Sequence, residues 1–212
     1  MIQYISIHKQ TFVLHPTGAI FWKERSMLLI ADVHLGKVAH FRKHGSAVPP
    51  KAILKNFDQL DRVVDAFTPA TICFLGDLFH SAINSEWHLF SNWVARQTAK
   101  LILIAGNHDI ISPLRYEAIG FVVGSELALD GFLLTHHPEE REGFFNFCGH
   151  IHPGIRLVGG GRQQLKLPCF FKSAHQLIFP AFGEFTGLYL LNPEDAEEVY
   201  AITKKEVILV PV

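Results

Sequence analysis

The chain has 212 residues, of which 49% are hydrophobic and 18% charged, and its formal net charge is -1 at pH 7. This composition supplies a core for one domain, residues 1–212, and excludes a disordered chain or a globally basic nucleic-acid binder. The N-terminus lacks a signal-peptide pattern and no apolar run reaches about 20 residues, which predicts a cytoplasmic protein with no membrane association. Three cysteines without CxxC spacing are expected to be reduced thiols.

Strands and helices are predicted to alternate in the first half of the chain. Residues 1–7 alternate as a strand does, and continuous apolar runs predict strands buried on both faces at 26–31, 71–75 and 101–105. Helical spacing of apolar residues predicts helices at 51–67, near 85–99, and briefly from Ser112-Pro113 to Gly120. Residues 37–50, which contain Gly45 and Pro49-Pro50, are expected to be irregular.

The second half is predicted to consist mostly of strands. The candidate strands are 121–123, 127–129, 132–134, 144–148, 176–179, 187–191 and 206–210. An α/β fold of two sheets packed face to face, with helices outside, would accommodate both halves.

Five of the predicted strands end in residues that can bind metals or transfer protons. These ends are Asp32-Val33-His34, Gly76-Asp77, Gly106-Asn107-His108-Asp109, His136-His137-Pro138 and Gly149-His150-Ile151-His152. Polar groups just past the carboxyl ends of buried strands are where open α/β sheets keep their active sites. One Asp-x-His pattern is common on protein surfaces, whereas five such ends in one chain indicate a metal centre.

This ordered set of strand ends resembles the calcineurin-like metallophosphoesterases. Further segments look like the bacterial DNA-ligase-associated phosphodiesterases, the PdeM group: Ala31–Lys37, Phe41–Gly45, Gly76–Ser81, Leu167–Phe170 and Pro180–Gly187. The resemblance implies two packed mixed β-sheets flanked by helices, a four-layer α/β/β/α sandwich around a two-metal centre. It also implies hydrolysis of nucleic-acid or nucleotide phosphodiesters by a metal-bridging hydroxide, in a DNA-repair context with a DNA ligase and repair proteins as associates.

Carried over motif by motif, the resemblance implies seven metal ligands. One ion would be held by Asp32, His34, Asp77 and His152, and the other by Asp77, Asn107, His136 and His150. A carboxylate shared by both ions keeps them close together, and Asp77 is the natural bridge. His137 is set aside as a surface or packing residue. Mixed imidazole, carboxylate and amide ligands suit Mn, Fe, Zn, Co or Ni more than Ca, and we expect manganese.

Roles beyond metal binding also follow from the resemblance. His108 is expected to face the phosphate and protonate the leaving oxygen, Asp109 to orient it, and His80 to be a second candidate donor. Lys37, Arg42 and Lys43 begin at a metal-ligand loop and are expected to grip flanking phosphates of a longer substrate such as DNA. A solvated helix face is the alternative interpretation of these cations.

Two other functions remain open. One is a small-molecule phosphoesterase acting on cyclic nucleotides, nucleotides or sugar phosphates. The other is a non-catalytic interaction module on the same fold, which is disfavoured because the chain keeps every ligand-type residue. A nuclease should bind DNA with a steep salt dependence, whereas a small-molecule enzyme should not.

Overall fold

The structure, a computed structural model, describes residues 1–43, 45, 51–184 and 186–211; the side chains of residues 40, 43, 51, 52 and 162 lie outside the described part. The helices are α1 (Lys37–Lys43), α2 (Lys51–Phe67), α3 (Ser85–Ala95) and α4 (Pro113–Glu117). The strands of the first half are β1 (Gln3–Ile7), β2 (Gln10–Leu14), β3 (Ile20–Trp22), β4 (Met27–Ile30), β5 (Thr71–Leu75) and β6 (Lys100–Ile104). Those of the second half are β7 (Phe121–Gly124), β8 (Leu127–Leu129), β9 (Phe132–Leu134), β10 (Phe145–Cys148), β11 (Pro153–Val158), β12 (Gln164–Lys172), β13 (Gln176–Ile178), β14 (Tyr189–Leu190), β15 (Glu198–Ile202) and β16 (Val207–Val210).

The described strands form two mixed sheets. The first has the order β1-β2-β3-β4-β5-β6-β7, antiparallel up to β4 and parallel from β4 to β7. The second has the order β14-β11-β12-β13-β10-β9-β8, with β15 beside β12 and β16 beside β15. Within it, β10 runs parallel to both β9 and β13. The parallel neighbours matter for function, because their carboxyl ends meet at one edge of each sheet.

Alternating side chains of the central strands build two separate cores. In β4, Leu28 and Ile30 pack against the helices, while Leu29 packs against the second sheet. The same alternation holds for β5 and β6, which explains why these strands are apolar without interruption. Phe147 of β10 is fully buried between the sheets, and its truncation to alanine would cost about 3–5 kcal/mol.

The predicted arrangement of two packed mixed sheets with helices outside is confirmed. The described α-helices all lie within the first 117 residues, and α2, α3 and α4 contribute to the core on the outer face of the first sheet. A third apolar cluster, drawn from residues 148–201, belongs to the second sheet and contains no residue of these helices.

Several predicted boundaries differ from the structure. Residues 37–43, expected to be irregular, form α1, and the strand expected at 187–191 is reduced to Tyr189–Leu190. Strands β2, β3, β11, β12 and β15 were not predicted. Pro168 lies inside β12, paired with Gly154, at a position where a proline in the sequence argues against a strand.

Two further observations concern the chain as a whole. All three cysteines are buried and free. No helix in the described residues has the length and apolar character needed to cross a membrane.

Candidate metal centre

The loops that follow β4 and β5 run side by side at the edge where the two strands end. The Asp32 N–H donates to the Gly76 carbonyl at 3.2 Å, and the His34 N–H donates to the Asp77 carbonyl at 2.9 Å. In the second sheet, the Gly149 N–H donates to the His136 carbonyl at 3.0 Å. The backbone therefore continues to pair beyond the strands and holds the candidate ligands in register.

Five of the seven candidate ligands adopt a left-handed backbone conformation. Their φ angles are 55° at Asp32, 53° at His34, 49° at Asp77, 66° at His150 and 54° at His152. This conformation costs about 1 kcal/mol or more for a residue with a side chain. Such strained residues cluster at functional sites, because the surrounding structure must hold them in place.

Asp77 faces both groups of candidate ligands and is almost completely buried. Its Oδ2 lies 3.5 Å from His34 Nε2, and its Oδ1 lies 3.4 Å from His136 Nε2 while accepting the His108 N–H at 2.9 Å. Burial acts to raise the pKa of Asp77. The hydrogen bond from His34, the charge of His136 and the His108 N–H outweigh burial and hold this pKa well below its usual range. Asp77 is therefore an ionised carboxylate with one oxygen toward each side.

Asp32 Oδ1 and His152 Nε2 are two potential ligand atoms that face each other. Asp32 Oδ2 accepts the His150 N–H at 2.9 Å, whereas Oδ1 lies 3.4 Å from His152 Nε2. Both Oδ1 and Nε2 are buried without a hydrogen-bond partner among the described residues. Two ligands held about 2.1 Å from one tetrahedral ion are about 3.4 Å apart. Together with His34, these two residues form a cluster whose ligand atoms lie within 4.8 Å of one another.

The second group centres on His136. Its Nδ1 lies 3.0 Å from the Leu75 carbonyl and must donate to it, because a carbonyl only accepts. Its Nε2 faces Asn107 Oδ1 at 2.9 Å, with His150 Nδ1 3.3 Å away. Potential ligand atoms of three residues thus converge at this point, an arrangement that suits a metal ion. The Leu75 contact is the kind of support that fixes the orientation of a metal-binding imidazole.

Protonation states agree with this chemistry. Burial lowers the pKa of His34, although the hydrogen bond to Asp77 and the charge of Asp32 oppose the shift. Burial, with the charges of His137 and His136, also lowers the pKa of His150. Both imidazoles are therefore neutral at pH 7, the state in which histidine binds metals.

Glycines at the strand ends allow the close approach of these groups. A Cβ at Gly106 would overlap Asp77 Oδ1, and a Cβ at Gly149 would overlap Asp32 Oδ2. Gly76 combines a φ of 81° with contact to the His136 ring. A side chain at any of these positions would displace a candidate ligand.

His137 was set aside in the sequence analysis, but the structure brings it to the centre. Its ring centroid lies 4.0 Å from that of His150, and it forms a possible metal-binding group with His136 and His150. Its side chain is exposed. The sequence feature that indicated this position was the adjacency of His137 to His136.

His108 lies at the exposed rim of the centre. Its ring centroid is 6.3 Å from that of His34 and 4.6 Å from that of His80. Burial, with the charges of His34, Lys37 and His108, lowers the pKa of His80 to about 4. A neutral His80 is a poor proton donor at pH 7, and His108 is the more exposed imidazole of the two.

Asp109 occupies a different place from the one expected. Its Oδ1 accepts the Phe79 N–H at 3.0 Å and its Oδ2 accepts the Gly106 N–H at 2.9 Å. Burial, opposed by these two hydrogen bonds, raises the pKa of Asp109 to about 6. Its carboxylate therefore ties the loop after β5 to the loop after β6, instead of orienting the His108 ring.

The start of α1, which carries Lys37, is held by a residue outside the predicted site. Glu86 is buried, with Oε2 accepting the Gly36 N–H and Oε1 accepting the Ala39 N–H, each at 2.8 Å. It thereby caps the first turn of α1 from another helix. Thr186 is a second residue outside the predicted site, and its Oγ1 lies 3.2 Å from His34 Nδ1.

The three predicted phosphate-binding cations have different surroundings. Lys37 begins α1 and is half-buried; burial lowers its pKa, while the nearby charges of Asp77 and Asp32 oppose the shift. Arg42 is exposed on the same helix. The side chain of Lys43 lies outside the described residues. Lys37 is therefore the cation that the structure brings near the two carboxylates.

A protein family and solved structures both match this chain. The calcineurin-like phosphoesterase family matches residues 26–203. The chain is similar to the solved structure of the nuclease MPE of Pseudomonas putida, with a TM-score of 0.84 and 30% sequence identity, over 99% of this chain and 100% of that one. It also matches Yfce, a phosphoesterase from E. coli, with a TM-score of 0.40 and 16% identity, over 87% of this chain and 97% of that one. Comparison with curated proteins gave no match.

The family match spans most of the chain and includes all seven candidate ligands. The clustered imidazole and carboxylate groups agree with the divalent metal ions that this family uses. The chain therefore belongs to the calcineurin-like phosphoesterase family and is a metal-dependent phosphoesterase.

Proposed function

We propose that the protein is a two-metal phosphodiesterase that cleaves nucleic-acid or nucleotide phosphodiesters. The observation that carries the proposal is the position of Asp77, which directs one carboxylate oxygen toward His34 and the other toward His136. The similar Pseudomonas putida protein is a nuclease, which supports a nucleic-acid substrate. Membership of the DNA-ligase-associated phosphodiesterase group, with a cytoplasmic role in DNA repair, is part of the same proposal.

The proposed ligand sets keep the division expected from the family. Asp32, His34, Asp77 and His152 would hold one ion, and Asp77, Asn107, His136 and His150 the other. Two divalent ions, manganese being our choice, would activate the attacking water and neutralise charge on the phosphate. The two aspartates leave an excess of positive charge at such a centre, which favours an anionic diester.

The remaining residues would act on the substrate. His108, exposed beside His34, would donate a proton to the oxygen of the departing strand. Lys37 would contact a non-bridging phosphate oxygen, because it is the cation closest in chain to the ligand loop. Asp109 and Glu86 would hold the loops that carry His108 and Lys37 in place.

The exposed rim favours a polymeric substrate over a small one. Asn107, His108 and Arg42 are all exposed, so a strand can enter the centre from the side and leave it again. Enzymes specific for small molecules more often enclose most of the ligand surface in a pocket.

The test is a substrate panel with metal titration on the purified protein. The panel runs from mononucleotides and cyclic nucleotides through a dinucleotide to single-stranded and nicked DNA. We expect chelation to abolish cleavage, manganese to restore it, and kcat/KM to be highest for DNA strands. Binding of the strand should weaken steeply as salt rises.

The outcomes separate the candidate functions. Turnover of cyclic nucleotides or sugar phosphates alone would instead assign a small-molecule phosphoesterase. A protein that binds two equivalents of metal yet cleaves nothing in the panel would contradict the proposed function.

A further inference from the structure

A cavity of about 710 Å³ lies beside the candidate metal centre. Ligand pockets in proteins typically measure about 300–1,000 Å³. Its walls are the turn between β2 and β3, one face of α2, the segment 180–184, and the chain at 167–168 and 202–204. None of these cavity residues belongs to the ligand set described above.

The cavity opens at the same edge of the sheets as the metal centre. Strand β3 pairs antiparallel with β4, so the turn at 16–18 lies at the carboxyl end of β4, where Asp32 begins the ligand loop. Strand β13 runs parallel to β10, so the segment after Ile178 lies at the carboxyl end of β10, near His150. A strand of nucleic acid lying across this edge would therefore meet both features.

One segment forms a wall that the cavity and the metal centre share. The Phe182 N–H donates to the Ala31 carbonyl, and the Gly183 N–H donates to the Asp32 carbonyl, each at 3.0 Å. On the cavity side, Gln59 Nε2 donates to the Phe182 carbonyl at 2.9 Å and to the Thr17 carbonyl at 3.2 Å. The cavity wall is thus in direct contact with the backbone of a candidate ligand.

The lining of the cavity suits a nucleotide. Pro16 and Leu167 supply partly exposed apolar surface against which a base can lie, and the almost fully buried Phe182 and Ile202 are also part of the lining. Its cations are Lys55, Arg62 and Lys204, and its acids are Asp58 and Glu184. Lys55 lies 3.7 Å from Glu184, which leaves the exposed Arg62 and Lys204 as the cations available to a phosphate. Arg62 can offer a phosphate two parallel hydrogen bonds.

We propose that this cavity binds a nucleotide of the same strand that is cut at the metal centre. The inference rests on the proposed function, because it assumes a nucleic-acid substrate. The cavity would recognise one nucleotide of that substrate, which flanks the scissile phosphate. Apolar contact with the base and the two cations give binding that depends on strand length and little on sequence.

The experiment uses the full chain loaded with manganese and a series of single-stranded DNA lengths. In the native protein, KM should fall as the strand becomes long enough to reach the cavity. In the double variant Arg62→Ala and Lys204→Ala, that gain with length should be lost, with KM for the long strand about fivefold to twentyfold higher. The slope of log affinity against log salt should fall by about one for each phosphate contact removed, and so by about two in the double variant.

Two single variants complete the test: one should have the opposite effect on binding, and the other is a control. Asp58→Asn removes an acid from the same helix face and should tighten binding of the long strand, opposite to the double variant. Lys100→Ala removes an exposed cation at the amino end of β6. This matched control should leave KM and the salt slope as in the native protein. Melting temperature and bound metal should remain native in all variants.

The results also separate this inference from the proposed function. A double variant that keeps the native KM and salt slope on strands that the native protein cleaves would overturn the cavity assignment alone. A native protein that cleaves only small phosphoesters, and no strand of any length, would overturn the proposed function and this inference with it.

Discussion

The metal centre has a buried side and an exposed rim, and the two are held differently. Asp32, His34, Asp77 and His136 are at most 2% exposed. Backbone groups hold the side chains of Asp32, Asp77 and His136 in place. Asn107, His108 and His137 are exposed at the rim. The difference indicates a division of labour: the buried side should contribute most to metal binding, and His108 on the rim should act on turnover.

The strongest test of this division is Asp77→Asn, which keeps the shape of the side chain and removes its negative charge. Loss of a residue that only supports a ligand typically costs about 10–100-fold in metal affinity, and loss of a shared ligand should exceed about 100-fold. We expect metal content and activity to disappear together, measured by mass spectrometry of bound metal and by turnover. Asp65→Asn, on the exposed face of α2, is the matched control.

A rim substitution should have the opposite pattern. In His108→Ala, kcat should fall about 10²–10⁴-fold, the usual contribution of a proton donor, while metal content is retained. The loss should be smallest for a nitrophenyl ester, because its leaving group departs without a proton. If this variant lost its metals, the division between buried side and rim would be wrong.

Glycine positions test whether close packing sets the buried side. Gly149→Ala would push a Cβ into Asp32 Oδ2, and metal affinity should fall about 10–100-fold, as for other supporting residues. Gly160→Ala, where a Cβ meets nothing within 4 Å, is the control. Isothermal titration with manganese measures both, and equal affinities in the two variants would contradict this account.

The smallest expected effect concerns His15, which lies outside the metal centre. Protonation of this residue should make the free energy of unfolding depend on pH. Burial, with the charges of Arg62 and the N-terminus, lowers the pKa of His15 to about 4, and its Nδ1 accepts the Thr17 N–H. A lowered histidine pKa means that the unfolded chain binds the proton first, so stability is lost as pH falls from about 6.5 toward 4. Allowing for partial exposure, the free energy of unfolding should drop between pH 7 and pH 5 by about 1 kcal/mol more than in His15→Gln. Urea unfolding at the two pH values measures the difference, and identical pH dependence would exclude this role.

The elements predicted correctly from the sequence are those whose signal lies in neighbouring residues. The buried runs of β4, β5 and β6 carry their signal in consecutive residues, and the polar groups that follow them are fixed by the direction of the strands. Helix α1 was missed because its cap, Glu86, lies 50 residues from Gly36 and becomes a cap only in the folded chain. Asp109 was assigned to His108 by proximity in sequence, whereas its oxygens reach backbone donors that sequence does not display. His137 required knowledge of how two loops approach each other.

The left-handed backbone of the candidate ligands has a consequence for how this protein can evolve. Each such residue opposes folding by about 1 kcal/mol, and glycine would relieve that strain. Selection for thermal stability alone should therefore favour glycine at positions such as His152, where it would abolish ligation. Stability and catalysis compete at these residues, so a thermostable enzyme must gain its stability elsewhere.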